Sequence, residues 1–143
     1  MKNFLFITTI TALLTACTVK PQAIDYGNDQ CSYCSMNIVD NTHASQIVTD
    51  KGKQYKYDAI ECLVNDMLNF DEANLAYILV ADYNNAGKML NAKEATYLIT
   101  KSIKSPMGAF LSGFKNKAEA EKALAQNEGS FYNWTTIKQE IQR

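Results

Sequence analysis

One succession of local patterns is readable twice in this chain, and it limits the fold more than any composition figure does. Residues 44–49 (ASQIVT) have the β-branched content of a strand, Asp50-Lys51-Gly52 is a turn, and residues 53–57 (KQYKY) return as a second strand. Asp58 with Glu61 three positions on has the form of a capping box that opens a helix. Ile60, Leu63, Val64, Met67 and Leu68 then fall on one apolar stripe with helical spacing. Residues 75–82 (LAYILVAD) are a continuous apolar run, the pattern of a central strand. The same order recurs with ATYLIT at 95–100, a glycine-weakened GAFLSGF at 108–114, a helix and a short strand at 130–132. That second helix is capped by Asn116 with Glu119, lined by Ala120, Ala123 and Leu124, and stopped by Gly129. The two series start at Ala44 and Ala95, as in an internal duplication of a ββαβ unit.

Each half is too small to bury a sufficient core alone, so the halves are expected to pack against one another. The expectation is an α+β fold, with tandem ββαβ units in one small domain over residues 29–143. The first half spans about 44–82 and the second about 95–132. Trp134, Ile137 and Ile141 mark a closing helix over about 134–142. Fourteen basic residues stand against 15 acidic ones, which leaves no basic field for a nucleic acid.

The first 17 residues (MKNFLFITTITALLTAC) read as an address. Lys2 is followed by an apolar stretch over 4–14, short of the about 20 residues that span a bilayer, and this fits an export signal. Leu14-Thr15-Ala16-Cys17 looks like a bacterial lipobox, in which the Cys17 thiol receives diacylglycerol and becomes the first mature residue. Residues 1–16 are thus expected as a signal peptide, and residues 17–28 as the lipidated cysteine and a polar, flexible tether. A domain anchored in this way lies outside the cytoplasmic membrane, where conditions are oxidising. Three cysteines remain, Cys31, Cys34 and Cys62, and an odd number cannot pair completely.

Cys31-Ser32-Tyr33-Cys34-Ser35-Met36 is the segment that carries chemistry. Its two thiols are close enough to form a disulfide or share a metal. A thiol–disulfide oxidoreductase would place the motif at the opening of a helix after a strand, and neither pattern flanks it. A structural zinc site needs four ligands, for which only Cys62 and His43 are left. Met36 adds a thioether, and thiolate with thioether suits Cu(I) better than Zn(II). Met107, set between Pro106 and Gly108, is a second thioether off any helical stripe. Met67 lies on the stripe and reads as core. Cys62, on the helix flank away from Ile60 and Met67, reads as a buried inert thiol. His43, the lone histidine, reads as a surface or hydrogen-bonded residue.

Together these residues resemble the NosL family of copper-binding accessory lipoproteins, over roughly residues 29–134. The resemblance rests on Asp29-x-Cys31-x-x-Cys34-x-Met36, Ala44-Ser45-Gln46-Ile47, Tyr57-Asp58, Cys62, Ala81-Asp82-Tyr83, Ser105-Pro106-Met107-Gly108 and Phe114. Two departures stand out: Ser35 replaces the family's usual glycine before Met36, and Met89 replaces an aromatic residue and is not counted as a ligand. The resemblance implies a fold of tandem ββαβ units and a non-enzymatic lipoprotein, held in a membrane by a lipid anchor and facing the periplasm. It implies a Cu(I) site with Cys34 and Met36 as first ligands, Met107 as the third and Cys31 competing for a place. It also implies delivery of copper to the nitrous oxide reductase apoprotein. The alternatives from the residues themselves are the oxidoreductase and a lipoprotein stapled by zinc or a disulfide at Cys31 and Cys34.

Overall fold

The computed structural model describes residues 18–143; the signal-peptide reading of residues 1–16 and the lipid-acceptor reading of Cys17 fall outside the described residues. Among the described residues, no helix is long and apolar enough to cross a membrane. The alternating and β-branched segments form strands where expected. β1 (Ser45–Thr49) pairs antiparallel with β2 (Gln54–Tyr57) on one side and with β3 (Leu75–Ala81) on the other. Between β2 and β3 lies α1 (Ile60–Asp66). A three-residue strand, β4 (Met89–Asn91), extends the sheet beyond β3, giving the order β2-β1-β3-β4. The second sheet holds β5 (Thr96–Ile99), β6 (Leu111–Phe114) and β7 (Ser130–Tyr132) in the order β6-β5-β7. α2 (Lys117–Leu124) connects β6 to β7, and α3 (Trp134–Ile141) closes the chain.

The repeated order of elements is visible in the topology. In each half the first strand of the unit is central, the second lies on one side, and the third returns after the helix to the other side, all antiparallel. The halves share one core. Ile47, Tyr57, Ile60, Leu63 and Val80 from the first half are clustered with Tyr97, Leu111, Trp134 and Ile137 from the second. Gly113 on β6 allows a close approach between the halves: a Cβ there would stand 3.0 Å from the Ala81 carbonyl oxygen and 3.3 Å from Ile60 Cδ1. A smaller cluster of Leu98, Ile103, Phe114 and Ala120 lies in the second half.

Several local expectations are corrected. Asp58 does not cap α1; the cap position is Ala59, without a side-chain hydrogen bond, and no capping box forms. The second half covers this end of the helix, and Glu61 turns to partners there instead. The apolar stripe ends sooner than the spacing implies. The α-helix stops at Asp66, a 3-10 turn over Met67–Asn69 follows, and Leu68 is 74% exposed while Met67 stays buried. All of Ile60, Glu61, Cys62, Leu63 and Val64 are buried, so α1 has no outward flank at this level. Cys62 therefore shares the core with Ile60 rather than lying away from it. α2 ends at Leu124, with Ala125 at φ 51°, not at Gly129. Gly129 serves a close approach instead, since a Cβ there would meet the Ile99 carbonyl oxygen at 2.9 Å. The strand expected over 108–114 is confined to Leu111–Phe114, because residues 105–109 fold as a turn against α1.

Part of the segment expected as a tether is laid along the β1–β2 hairpin. Gln54 Nε2 donates to the Lys20 carbonyl at 3.1 Å, Gln46 Nε2 to that of Gln22 at 3.0 Å, and Lys56 Nζ to that of Ala23 at 2.8 Å. Ile24 and Tyr26 pack against the core. The acceptors are main-chain carbonyls, which any residue provides, so side-chain composition alone did not distinguish this docked stretch from slack chain.

Candidate metal centre

The segment from Cys31 to Met36 is a closed loop. Its ends are joined by the isolated bridge between Gln30 and Asn37. Cys31 N–H donates to the Met36 carbonyl at 2.8 Å, and Ser35 N–H to that of Cys31 at 2.9 Å. The loop is docked on β2: Ser32 N–H donates to the Lys56 carbonyl at 2.8 Å, and Lys56 Nζ pairs with Asp29 at 2.6 Å. Ser35 takes φ 64°, where a side chain costs about 1–2 kcal/mol. A glycine, which the family resemblance implies at this position, would adopt that φ without the cost.

This closure sends the side chains in different directions. Cys31 is 2% exposed, Cys34 is half-buried, and Met36 is 51% exposed. α1 brings up Cys62, 1% exposed, from the other side. The Sγ atoms of Cys31, Cys34 and Cys62 lie within 4.8 Å of one another, and all three are free thiols. An ion bonded to three sulfurs at about 2.3 Å in one plane would hold them about 4 Å apart, so this spacing fits a single soft ion.

The electrostatics of the three thiols are unequal. A hydrogen bond from the Cys62 thiol is the main reason that Cys31 is lowered to about 4; burial works against it, and backbone N–H groups of Cys34, Asp58 and Tyr33 add to it. The Cys34 N–H stands 3.5 Å from Cys31 Sγ. As the donor in that bond, and buried, Cys62 is pushed well up. Burial raises Cys34, and the Cys31 charge reinforces the effect. Among the three, Cys31 is the thiol most readily ionised, and a bound cation would displace the protons of those that coordinate it.

Two buried carboxyl groups adjoin it. Asp58 is raised by burial and by the charge of Cys31, and its Oδ1 has no hydrogen-bond partner. Glu61, beside Cys62 in the chain, is raised by burial. Its Oε1 accepts from Ser105 Oγ and, at 3.2 Å, from Ala109 N–H; Oε2 has no partner. The Met107 turn of the second half is therefore fastened to the first turn of α1. Met107 itself is 42% exposed.

His43 has neither nitrogen to spare. Nδ1 lies 2.8 Å from Asp40 Oδ2 and 3.0 Å from Thr42 Oγ1, and Nε2 lies 3.0 Å from Ser112 Oγ. The hydrogen-bonded reading holds, though the residue is buried rather than on the surface. Met67 is buried in the core, as its place on the stripe implies. Cys62 is the residue that sequence reasoning undervalued. Two signals pointed to it: the odd thiol left by a Cys-x-x-Cys pair, and its place in the first turn of the helix that follows β2.

The fold and the thiol cluster define a class: a small α+β protein of tandem ββαβ units that presents a soft-donor site for a metal ion. The chain belongs to the NosL family, whose model matches residues 21–142. Among solved structures it is similar to the crystal structure of the copper chaperone NosL from Shewanella denitrificans, with a TM-score of 0.72 and 22% identity over 86% of this chain and 98% of that one. At that identity the likeness speaks for the fold. No curated protein matches the chain.

Proposed function

We propose that this chain is a Cu(I) carrier, not an enzyme, which delivers copper for assembly of the copper centres of nitrous oxide reductase from a lipid anchor at Cys17, facing the periplasm. The observation that carries the copper reading is the cluster of three free thiols, two buried and one half-exposed, with thioethers exposed on the adjoining loop and turn. Thiolate and thioether are soft donors and select Cu(I) over hard cations. Cys34 and Met36 are the first ligands, with Cys31 beside them and Met107 brought from the second half. Cys62 joins the pool through its place in the cluster. A carrier needs an accessible face, where a recipient's ligand can bind before the old ones leave. Cys34 is the thiol placed for that exchange. The anchor and the identity of the recipient come from the family resemblance.

Two rivals fare worse on the geometry. A thiol–disulfide oxidoreductase attacks through an exposed thiol of lowered pKa. Here the lowered thiol, Cys31, is buried, and the accessible one, Cys34, is raised. Structural zinc sites take four ligands, and the fourth that the sequence offered, His43, is committed to Asp40 and Ser112.

The test is a titration of the reduced protein under anaerobic conditions against a Cu(I)-specific chelator. One Cu(I) per chain is expected, with a far greater loss of affinity for Cys34→Ser than for Met107→Leu, and none for Met67→Leu. The loaded protein should then restore a copper centre in nitrous oxide reductase apoprotein. Zn(II) bound more tightly than Cu(I) at the same pH would overturn the copper reading. Stable copper loading without transfer would overturn the choice of recipient.

A further inference from the structure

We propose that Glu61 is a positioning residue for the metal centre: it clamps the turn that carries Met107 to the helix that carries Cys62, and so sets the distance at which the second half meets the ion. The inference rests on Met107 being a ligand.

Four observations carry it. Both side-chain and main-chain groups of the turn end on one atom, because Glu61 Oε1 accepts from Ser105 Oγ and from Ala109 N–H, two residues to either side of Met107. Among the described residues, these are the hydrogen bonds by which the turn from Ser105 to Ala109 reaches the first half; its others stay within the second half, from Gly108 N–H to the Ser105 carbonyl and from Leu111 N–H to Ser105 Oγ. Glu61 precedes Cys62 directly in the first turn of α1, so the clamp and the thiol move together. Finally, Glu61 is nearly fully buried and Oε2 has no partner. A buried carboxyl with an unsatisfied oxygen is costly, and an apolar residue would close the same interface without that cost.

The arrangement resembles the outer partners that orient metal ligands elsewhere, whose removal lowers metal affinity roughly 10- to 100-fold. The clamp requires an acceptor, not a charge. Glutamine keeps an oxygen in the place of Oε1 and preserves both bonds.

The experiment is a double-mutant cycle on the full chain, reading Cu(I) affinity by chelator competition and folding by thermal denaturation. Glu61→Ala is expected to weaken Cu(I) binding about 10- to 100-fold, and Glu61→Gln to bind as the wild type does. Glu61→Ala combined with Met107→Leu is expected to bind no more weakly than Met107→Leu alone, because a released turn and a missing thioether remove the same contact. Full additivity of the two losses, or wild-type affinity in Glu61→Ala beside a weakened Met107→Leu, would overturn the clamp while leaving Met107 a ligand. Wild-type affinity in Met107→Leu would remove Met107 from the ligand set and the clamp with it. If Glu61→Ala does not fold, Ser105→Ala carries the test: it cuts one of the two bonds, and its loss must be smaller and likewise vanish in the Met107→Leu background.

Discussion

Cys34 and Cys31 are three residues apart, yet the loop gives them opposite properties. Cys31 is buried and drawn toward the thiolate by Cys62; Cys34 is half-exposed and holds its proton more firmly. For an alkylating reagent, access decides the order, because a buried thiolate cannot be reached without opening the loop. In the reduced metal-free protein Cys34 should be modified first by iodoacetamide, with Cys31 and Cys62 following only on the timescale of local opening. Peptide mapping after short exposures checks this, and first modification at Cys31 would show that the loop is not closed in solution. The Cys-x-x-Cys-x-Met spacing was enough to find the loop, because such donors are rare and their chemistry is local. Spacing did not reveal that the third thiol comes from α1. That follows from a helix whose first five residues are all buried, and a stripe drawn on an isolated helix presumes that one side faces water.

The strands and helices were legible where hydrophobic period and turn chemistry agree, as in the β1–β2 hairpin and in α3. β4 was missed, since Met89–Asn91 is too short to show any period and exists through pairing with β3. The Asp58–Glu61 cap failed for a related reason: a neighbouring element offered Glu61 better partners than its own helix end did. Contacts between elements also explain His43. It precedes β1, and its Nε2 meets Ser112 on β6, so one imidazole ties the first sheet to the second. Ser112→Ala should leave that nitrogen unpaired in a dry site, at a cost of about 1–3 kcal/mol. The midpoint of thermal unfolding should fall by several degrees while Cu(I) affinity stays as it was. A loss of copper binding in that variant would mean that His43 communicates with the metal centre after all.

Across the whole molecule, the duplicated order of elements could be read from the chain, but the way the halves face each other could not. That arrangement depends on Gly113, the Glu61 clamp and the His43 tie, three contacts between residues far apart in sequence. Acid should test the last of these. Burial works to raise the Asp40 carboxyl, but hydrogen bonds from Thr42 and from His43 outweigh it and hold it below its ordinary value of 3.8. A carboxylate depressed in the folded state stabilises above its unfolded value, and that contribution is lost as the pH falls through the folded one. Asp40→Asn should therefore be less stable than the wild type at neutral pH, and the gap should narrow as the pH drops below about 4. Urea midpoints measured along that pH series decide it; a constant gap would mean that the Asp40 charge plays no part. The closing helix has a further use. Its Trp134 is the protein's lone tryptophan, buried, with the Tyr97 ring centred 6.1 Å away and the Lys138 ammonium 5.0 Å above it. Because α3 packs on α1 and β5 at once, this one fluorophore sits where both repeats meet. Its emission registers the separation of the halves without any added label, so the molecule reports optically on its own integrity.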